Sequence, residues 1–120
     1  MMPLVNAGEV VVLDALLTGR YLALHTGDPT GGNEVTGTNY VRQSADFSSL
    51  SGPDPTIYDN DAEIEFPAAG DDWGTVTHFS LWTAESSGSM LAYAALSASK
   101  AINTNDIARW AAGALTVEAD

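Results

Sequence analysis

Three acidic residues of this 120-residue chain have a spacing that could serve metal binding. Asp59, Asp61 and Glu63 stand at alternate positions, and hard cations such as Ca²⁺ bind through several carboxylate oxygens held close together. The set lacks the glycine and the final acidic residue of an EF-hand loop, and alternate side chains of a strand simply share one face. We therefore interpret these residues as a solvated strand face, with Ca²⁺ binding as the alternative.

A second acidic group could supply paired carboxylates for glycoside hydrolysis. Asp71 and Asp72 precede a Trp-Gly pair, and Glu65 lies a few residues before them. Nothing in the sequence fixes the separation that a glycosidase needs between its two carboxylates. Aspartates beside such a turn more often accept backbone hydrogen bonds, so we predict a structural role for Asp71 and Asp72.

The chain has two histidines, His25 and His78, which limits nucleophilic catalysis to sites that use one of them. Ser80 is the nearest candidate nucleophile, but no Gly-x-Ser-x-Gly turn presents it. Both histidines fall in predicted strands beside turns, where imidazoles commonly bond to neighbouring backbone groups. We predict that both are structural, that the protein is not an enzyme and that it needs no cofactor.

Charge and composition narrow the range of partners. The formal net charge is −12 and the isoelectric point is about 4.1, so phosphate backbones and anionic membranes are repelled. The sequence has no cysteine and no apolar run close to the roughly 20 residues of a transmembrane helix. Because no basic residue precedes Arg20, the N-terminus does not resemble a secretory signal, and we expect synthesis in the host cytoplasm.

The elements that must position these residues are mostly strands. One helix is predicted over 6–18, where Asn6 and Glu9 form a capping box and Gly19 ends the helix. Its apolar stripe is a candidate contact with neighbouring chains. The stripe consists of Val10, Leu13 and Leu17. We therefore divide the chain into an N-terminal helical segment, 1–19, and a β domain, 20–120.

After Arg20 the sequence consists of short runs of threonine, aromatic and branched residues, separated by clusters of Gly, Pro, Asn and Asp. This texture predicts an all-β domain, a β-sandwich or barrel resembling a jelly roll. Two prolines, Pro53 and Pro55, predict a loop over 48–60 because they cannot donate to a ladder. The predicted strands are 21–25, 40–47, 62–66, 76–83, 90–96, 98–102 and 114–118.

The few cations and the aromatic residues are the remaining candidates for contacts. Arg42 and Arg109 can each hold a carboxylate through two parallel hydrogen bonds, inside the domain or at an interface, or can remain solvated. Glu34 either pairs with Arg42 or accepts backbone donors in a turn. Trp110 completes the set of candidate interface residues. A sugar-binding aromatic platform is the alternative to core packing for Trp73, Trp82, Trp110, Tyr21 and Tyr93.

Three segments of the sequence resemble a known family. They are residues 24–29 (LHTGDP), residues 33–42 (NEVTGTNYVR) and residues 73–79 (WGTVTHF). Their order resembles a family of small phage virion proteins, often labelled tail fibre or minor structural proteins, over about residues 24–117. The resemblance implies a virion component with structural rather than catalytic motifs.

Two functions are consistent with this resemblance. The first, which we favour on the compact size, is a capsid decoration or cement protein that binds the major capsid protein on the outer surface of the shell. The alternative is a tail fibre, adaptor or receptor-binding component, and host-surface glycan binding is expected only in that case. For both we expect a homo-oligomer, with a trimer as one possibility, that contacts other virion proteins and neither nucleic acid nor membrane.

Overall fold

The computed structural model describes residues 18–51 and 56–119 of the chain. Nearly all regular structure in these ranges is antiparallel β-strand, with one 3₁₀ turn, η1. The elements are β1 (Arg20–His25), η1 (Pro29–Gly31), β2 (Gln43–Ala45), β3 (Phe47–Ser51), β4 (Thr56–Asn60), β5 (Ile64–Glu65), β6 (Gly74–Trp82), β7 (Met90–Ile102), β8 (Arg109–Trp110) and β9 (Thr116–Ala119).

The largest sheet has four strands in the order β2-β1-β6-β7. β6 is central and pairs with both β1 and β7. On its core face, Phe79 and Leu81 are fully buried, opposite Leu24 and Leu22 of β1. Because side chains alternate along a strand, Ser80 and Trp82 lie on the other face of the sheet. Ser80 on that face is as deeply buried as Phe79 and Leu81, so β6 is covered on both faces.

A three-stranded sheet, β3-β4-β9, contributes to the same core. Phe47 of β3 stacks on Phe79 of β6 with ring centroids 6.1 Å apart, so the two sheets meet through aromatic rings. Asn60, fully buried at the end of β4, connects this sheet to the segment before β9. Its amide donates to the carbonyls of Ala62 and Ala111 and accepts from the Leu115 amide.

A two-stranded sheet, β5-β8, completes the arrangement and carries aromatic residues of the core. Phe66, just after β5, packs edge-on against Trp110 of β8 at 6.1 Å and against Trp73 at 6.4 Å. Gly37 lies directly against Trp73, because a Cβ at residue 37 would stand 2.2 Å from Trp73 Cδ1. A side chain at residue 37 would therefore displace the indole.

The loops beside β6 are joined by the two aspartates that precede Trp73. Asp71 accepts from the backbone amide and the hydroxyl of Thr38, at 3.0 Å each. Asp72 does the same for Thr104, at 2.9 and 3.0 Å. Trp73 Nε1 then donates to the carbonyl of Thr38 at 3.0 Å. Asp71 and Asp72 therefore have the structural role that the sequence predicts.

The structure confirms the all-β single domain and corrects several boundaries. The predicted loop over 48–60 is wrong: it holds parts of two paired strands, β3 and β4. β3 ends and β4 begins on either side of the segment 52–55, which contains both prolines. That segment lies outside the described residues. The two strands predicted over 90–96 and 98–102 form one strand, β7, with an irregularity opposite Thr77.

The sequence predicts one helix, near the start of the chain, and no transmembrane helix. The predicted helix over 6–18 lies outside the described residues, apart from Thr18, and so do Val10, Leu13 and Leu17. In the described part of the chain, no helix is long and apolar enough to cross a membrane.

Candidate functional site

A connected group of polar and aromatic side chains surrounds Arg42 beside the four-stranded sheet, and its member Tyr40 also packs against Phe66 and Trp73 of the aromatic core. We call Glu34, Tyr40, Arg42 and Trp82 the Arg42 cluster. The Arg42 side chain is 8% exposed and holds Glu34 through two bonds of 2.9 Å, from Nε to Oε2 and from Nη2 to Oε1. Its guanidinium carbon lies 3.9 Å from the ring centre of Trp82. The cluster therefore combines a bidentate ion pair with a cation–π contact.

Backbone pairing positions the members of the Arg42 cluster. Glu34 forms an isolated bridge with His25 at the end of β1, which places both side chains on the same face of the sheet. Trp82 ends β6 opposite Tyr21, farther along the same face. Arg42 precedes β2 directly, so its long side chain reaches across β1 to Trp82.

Arg42 also holds a surface loop in place. Its Nη1 donates to the carbonyls of Ala84 and Ser87, at 3.1 and 2.8 Å. Both carbonyls belong to the turn between β6 and β7, where Ser87 has a positive φ of 57°. One guanidinium thus fixes the β6–β7 turn to the start of β2 and to the Glu34 segment.

Electrostatics favour the charged form of this pair. Although burial acts to raise the pKa of Glu34, hydrogen bonds from Arg42 and from the Tyr40 hydroxyl together lower it below its usual value. The bond to Glu34 raises the pKa of Arg42. Burial, and then the hydrogen bond that Tyr40 donates to Glu34 Oε2 at 2.7 Å, raise the pKa of the Tyr40 phenol. All three groups hold a fixed protonation state at neutral pH.

A chain of hydrogen bonds runs from Trp82 to a backbone carbonyl. Trp82 Nε1 donates to Ser80 Oγ at 2.7 Å, and Ser80 Oγ lies 2.6 Å from His25 Nε2. His25 Nδ1 lies 2.7 Å from the carbonyl of Gly32, which can only accept. The neutral imidazole therefore carries its proton on Nδ1 and accepts from the Ser80 hydroxyl through Nε2.

This serine–histidine pair has the contact geometry of a nucleophile and its base, but no substrate can approach it. His25 is 1% exposed and Ser80 is 0% exposed. Burial lowers the pKa of His25, which keeps the imidazole neutral inside the sheet face. The pair is a packed hydrogen-bond relay that ties β1, β6 and the η1 loop together.

A second arginine lies in very different surroundings. Arg109 of β8 bonds to Glu65 of β5 from Nε at 2.8 Å and from Nη2 at 2.6 Å, and Glu63 lies 3.8 Å away. The Arg109 and Glu65 side chains are 52% and 48% exposed. We call Arg109 and Glu65 the Arg109 pair. Hydrogen bonding from Arg109 to Glu65 raises the pKa of the guanidinium.

The described residues contain no group of three or more His, Asp or Glu arranged to hold a metal ion. Asp59 is on β4, Asp61 follows it and Glu63 lies beside Arg109, so the three predicted metal candidates do not converge. An open pocket of about 310 Å³ adjoins the Arg42 cluster. Its walls include Glu85 and Ser86, and the polar atoms of Glu34 and Arg42 there are already hydrogen-bonded to each other.

The interface residues predicted from the sequence fall in different places. Arg42 is engaged inside the domain, and Trp110 is 8% exposed within the aromatic core. Arg109 is on the surface. Glu34 pairs with Arg42, which is one of the two arrangements that the sequence left open. The His25–Ser80–Trp82 relay was missed, since sequence alternation puts Ser80 and Trp82 on one face without indicating that His25 joins them across β1.

Comparison with known proteins identifies the chain's relatives. The family described as Podophage GP4 fiber I protein gp80 matches residues 11–118, which is most of the chain. No curated protein matches the chain closely enough to add a further relative. The match supports the phage virion resemblance and implies a location in the virion. The chain therefore belongs to the podophage GP4 fiber I protein gp80 family, a family of phage structural proteins.

Proposed function

We propose that this protein is a component of the phage tail fibre and that its role is structural. The observation that carries the proposal is the family match over residues 11–118 to a fiber protein. It favours the tail-fibre alternative over the capsid decoration role that compact size had suggested. The finer assignment, between a fibre module and an adaptor that joins the fibre to the tail, follows from where the protein lies in the particle.

The chemistry of the domain supports a structural role. The serine–histidine pair is buried, the paired aspartates serve as loop anchors, and the buried arginine is held by partners within the domain. Among the described residues, no buried side-chain nitrogen or oxygen lacks a hydrogen-bond partner. A rigid domain whose polar groups are satisfied internally suits a part that must keep its shape while attached to other virion proteins.

Antibody labelling of intact virions tests this proposal. A monoclonal antibody against the purified domain, visualised by gold particles in electron microscopy, should label the tail vertex and leave the rest of the capsid bare. A decoration protein would instead give label over the whole shell. An antibody against the major capsid protein is the matched control, because it should label the shell in both cases.

A further inference from the structure

The longest strand in the described part of the chain is also nearly free of charge. β7 runs for 13 residues, Met90–Ile102, and Lys100 is its one charged residue. β6 pairs with one edge of β7, whereas no strand within 18–51 and 56–119 pairs with its other edge. β9 lies near β7, but no ladder joins the two strands. Among the described residues, the outer edge of β7 is therefore open to a further strand.

The usual protection of a strand edge by charge or proline is weak here. β7 contains no proline, and the ammonium of Lys100 is already engaged, donating to the Arg109 carbonyl at 3.0 Å and lying 4.8 Å from the Trp110 ring centre. The ladder between β7 and β6 is regular over residues 92–95 and again over 100–102, and it is irregular at residue 91 and over 96–99. The longer of these two regular stretches contains Tyr93.

Tyr93 marks this edge with an exposed aromatic ring. It is 47% exposed, and Ile107, at 49%, is the comparable apolar residue elsewhere on the described surface. Ala92 and Ala94 face the core, so Tyr93 and Ala95 lie on the opposite face of the sheet. The neighbours of Tyr93 along this face are Leu91 and Ala95, and the small side chain of Ala95 leaves room beside the ring for a second aromatic residue.

The distribution of charge indicates what kind of partner fits. The chain has 16 acidic residues, yet none lies between Glu85 and Asp106. A basic partner would find its complementary charge elsewhere on the surface. A strongly acidic partner is repelled least where acidic residues are sparse, and the segment 86–105, which contains β7, has none. A second copy of this chain, which has the same formal charge of −12, is such a partner.

We propose that two copies of this protein pair through β7, antiparallel and centred on Tyr93, to form one continuous sheet across the dimer. A two-fold axis perpendicular to the sheet keeps each residue on its own face, so the pairing must place residues of the same face opposite each other. Centring on Tyr93 meets this condition. It places Tyr93 opposite Tyr93 of the second copy, and Leu91 opposite the second copy's Ala95. This inference is independent of where the protein sits in the virion.

Measuring the mass in solution tests the pairing. Sedimentation equilibrium of the full chain should give twice the chain mass of 12.5 kDa at micromolar concentration. Tyr93→Lys should weaken the dimer about tenfold or more, because like charges would then face each other across the axis. Ile107→Lys is the matched control, since it adds the same charge at a residue of equal exposure, and it should leave the dimer intact. A monomeric wild-type chain, a trimer, or equal effects of the two variants would overturn the proposal.

The absence of cysteine from the sequence allows a sharper test of register. Directly opposed residues of an antiparallel pair have Cα atoms about 4.5–5.5 Å apart, which is within the range that a disulfide spans. Tyr93→Cys should therefore crosslink to its own copy under mild oxidation, as a dimer band on non-reducing gels. Ile107→Cys should stay monomeric on the same gels. If Tyr93→Cys neither crosslinks nor reacts with a thiol reagent, β7 is covered by another segment of its own chain and the proposal is wrong.

Discussion

The Arg42 cluster and the Arg109 pair contain the same functional groups in opposite surroundings. Both arginines hold a glutamate with bonds of 2.6–2.9 Å. Arg42, however, is 8% exposed, stacks on Trp82 and holds two loop carbonyls, whereas Arg109 is 52% exposed. Short distances alone therefore do not indicate energetic importance. Burial and the number of partners decide how much of the fold depends on each arginine.

The largest effect is expected from removing the buried guanidinium. Arg42→Ala leaves Glu34 half-buried without its counter-ion, frees the β6–β7 turn and uncovers Trp82. Breaking a buried pair in this way destabilises by about 3–5 kcal/mol. Urea unfolding followed by tryptophan fluorescence measures the loss. A change below about 1 kcal/mol, the range of surface pairs, would show that the Arg42 cluster is not a major source of stability.

A smaller but still large loss of stability is expected when Arg42 is replaced by lysine, which keeps the charge but not the shape of the guanidinium. Arg42→Lys keeps the positive charge but cannot hold Glu34 with two parallel bonds while also reaching the carbonyls of Ala84 and Ser87. We expect a loss of about 2 kcal/mol in the same unfolding experiment, because each lost hydrogen bond of a charged donor is worth about 1.5 kcal/mol or more. Full retention of stability would mean that charge alone accounts for the effect of Arg42.

The buried imidazole of His25 makes the stability of the fold depend on pH. Burial lowers the pKa of His25 in the folded protein, so the unfolded chain binds a proton first, near pH 6.5. The contribution of neutral His25 is complete above pH 6.5 and is lost as the pH falls from there toward the folded pKa. His25→Gln cannot titrate, so the stability difference between wild type and His25→Gln should shrink on acidification from pH 7.5 to pH 5.

The control variant changes the other histidine of the chain, His78, which lies opposite His25 on β6, and leaves the contact between His25 and Ser80 in place. The matched comparison uses His78→Gln, measured over the same pH range. A difference for His25→Gln that stays constant with pH would show that the relay does not depend on a neutral imidazole.

The smallest effect is expected at the exposed arginine. Arg109→Ala removes a pair in which both side chains are about half exposed, so water and salt ions replace most of what is lost. We expect no resolvable change in the midpoint of urea unfolding at physiological salt. A shift comparable to that of Arg42→Ala would erase the distinction between the two arginines.

Much of the β architecture can be predicted from the sequence, because polar and apolar residues alternate along strands that have one buried face. In residues 62–66, acidic and apolar residues alternate, and the structure buries Ile64 and Phe66 there. The sequence does not reveal the hairpin of β3 and β4, because Pro53 and Pro55 lie between the two strands and predict a loop over the whole segment. The proline rule applies to the residues in the ladder, and the strands stop before and start after those prolines.

The buried hydrogen-bond relay could not be predicted, because it depends on register between distant strands. Ser80 and His25 are 55 residues apart, and their contact requires the β1–β6 pairing in which Ala23 stands opposite Ser80. The pairing of Glu34 with Arg42 was accessible, since both residues lie in one short segment and cations are scarce. The burial of this pair could not be predicted from the sequence, because it depends on Trp82 and on the turn after β6.

The count of this protein in each purified virion tests the central claim most directly. Quantitative mass spectrometry against the major capsid protein, with isotope-labelled peptides of both, gives the ratio. A tail-fibre component predicts from a handful to a few tens of copies per particle, consistent with attachment at a single vertex. Hundreds of copies, near one per capsid subunit or a simple fraction of it, would contradict the fibre assignment and establish capsid decoration.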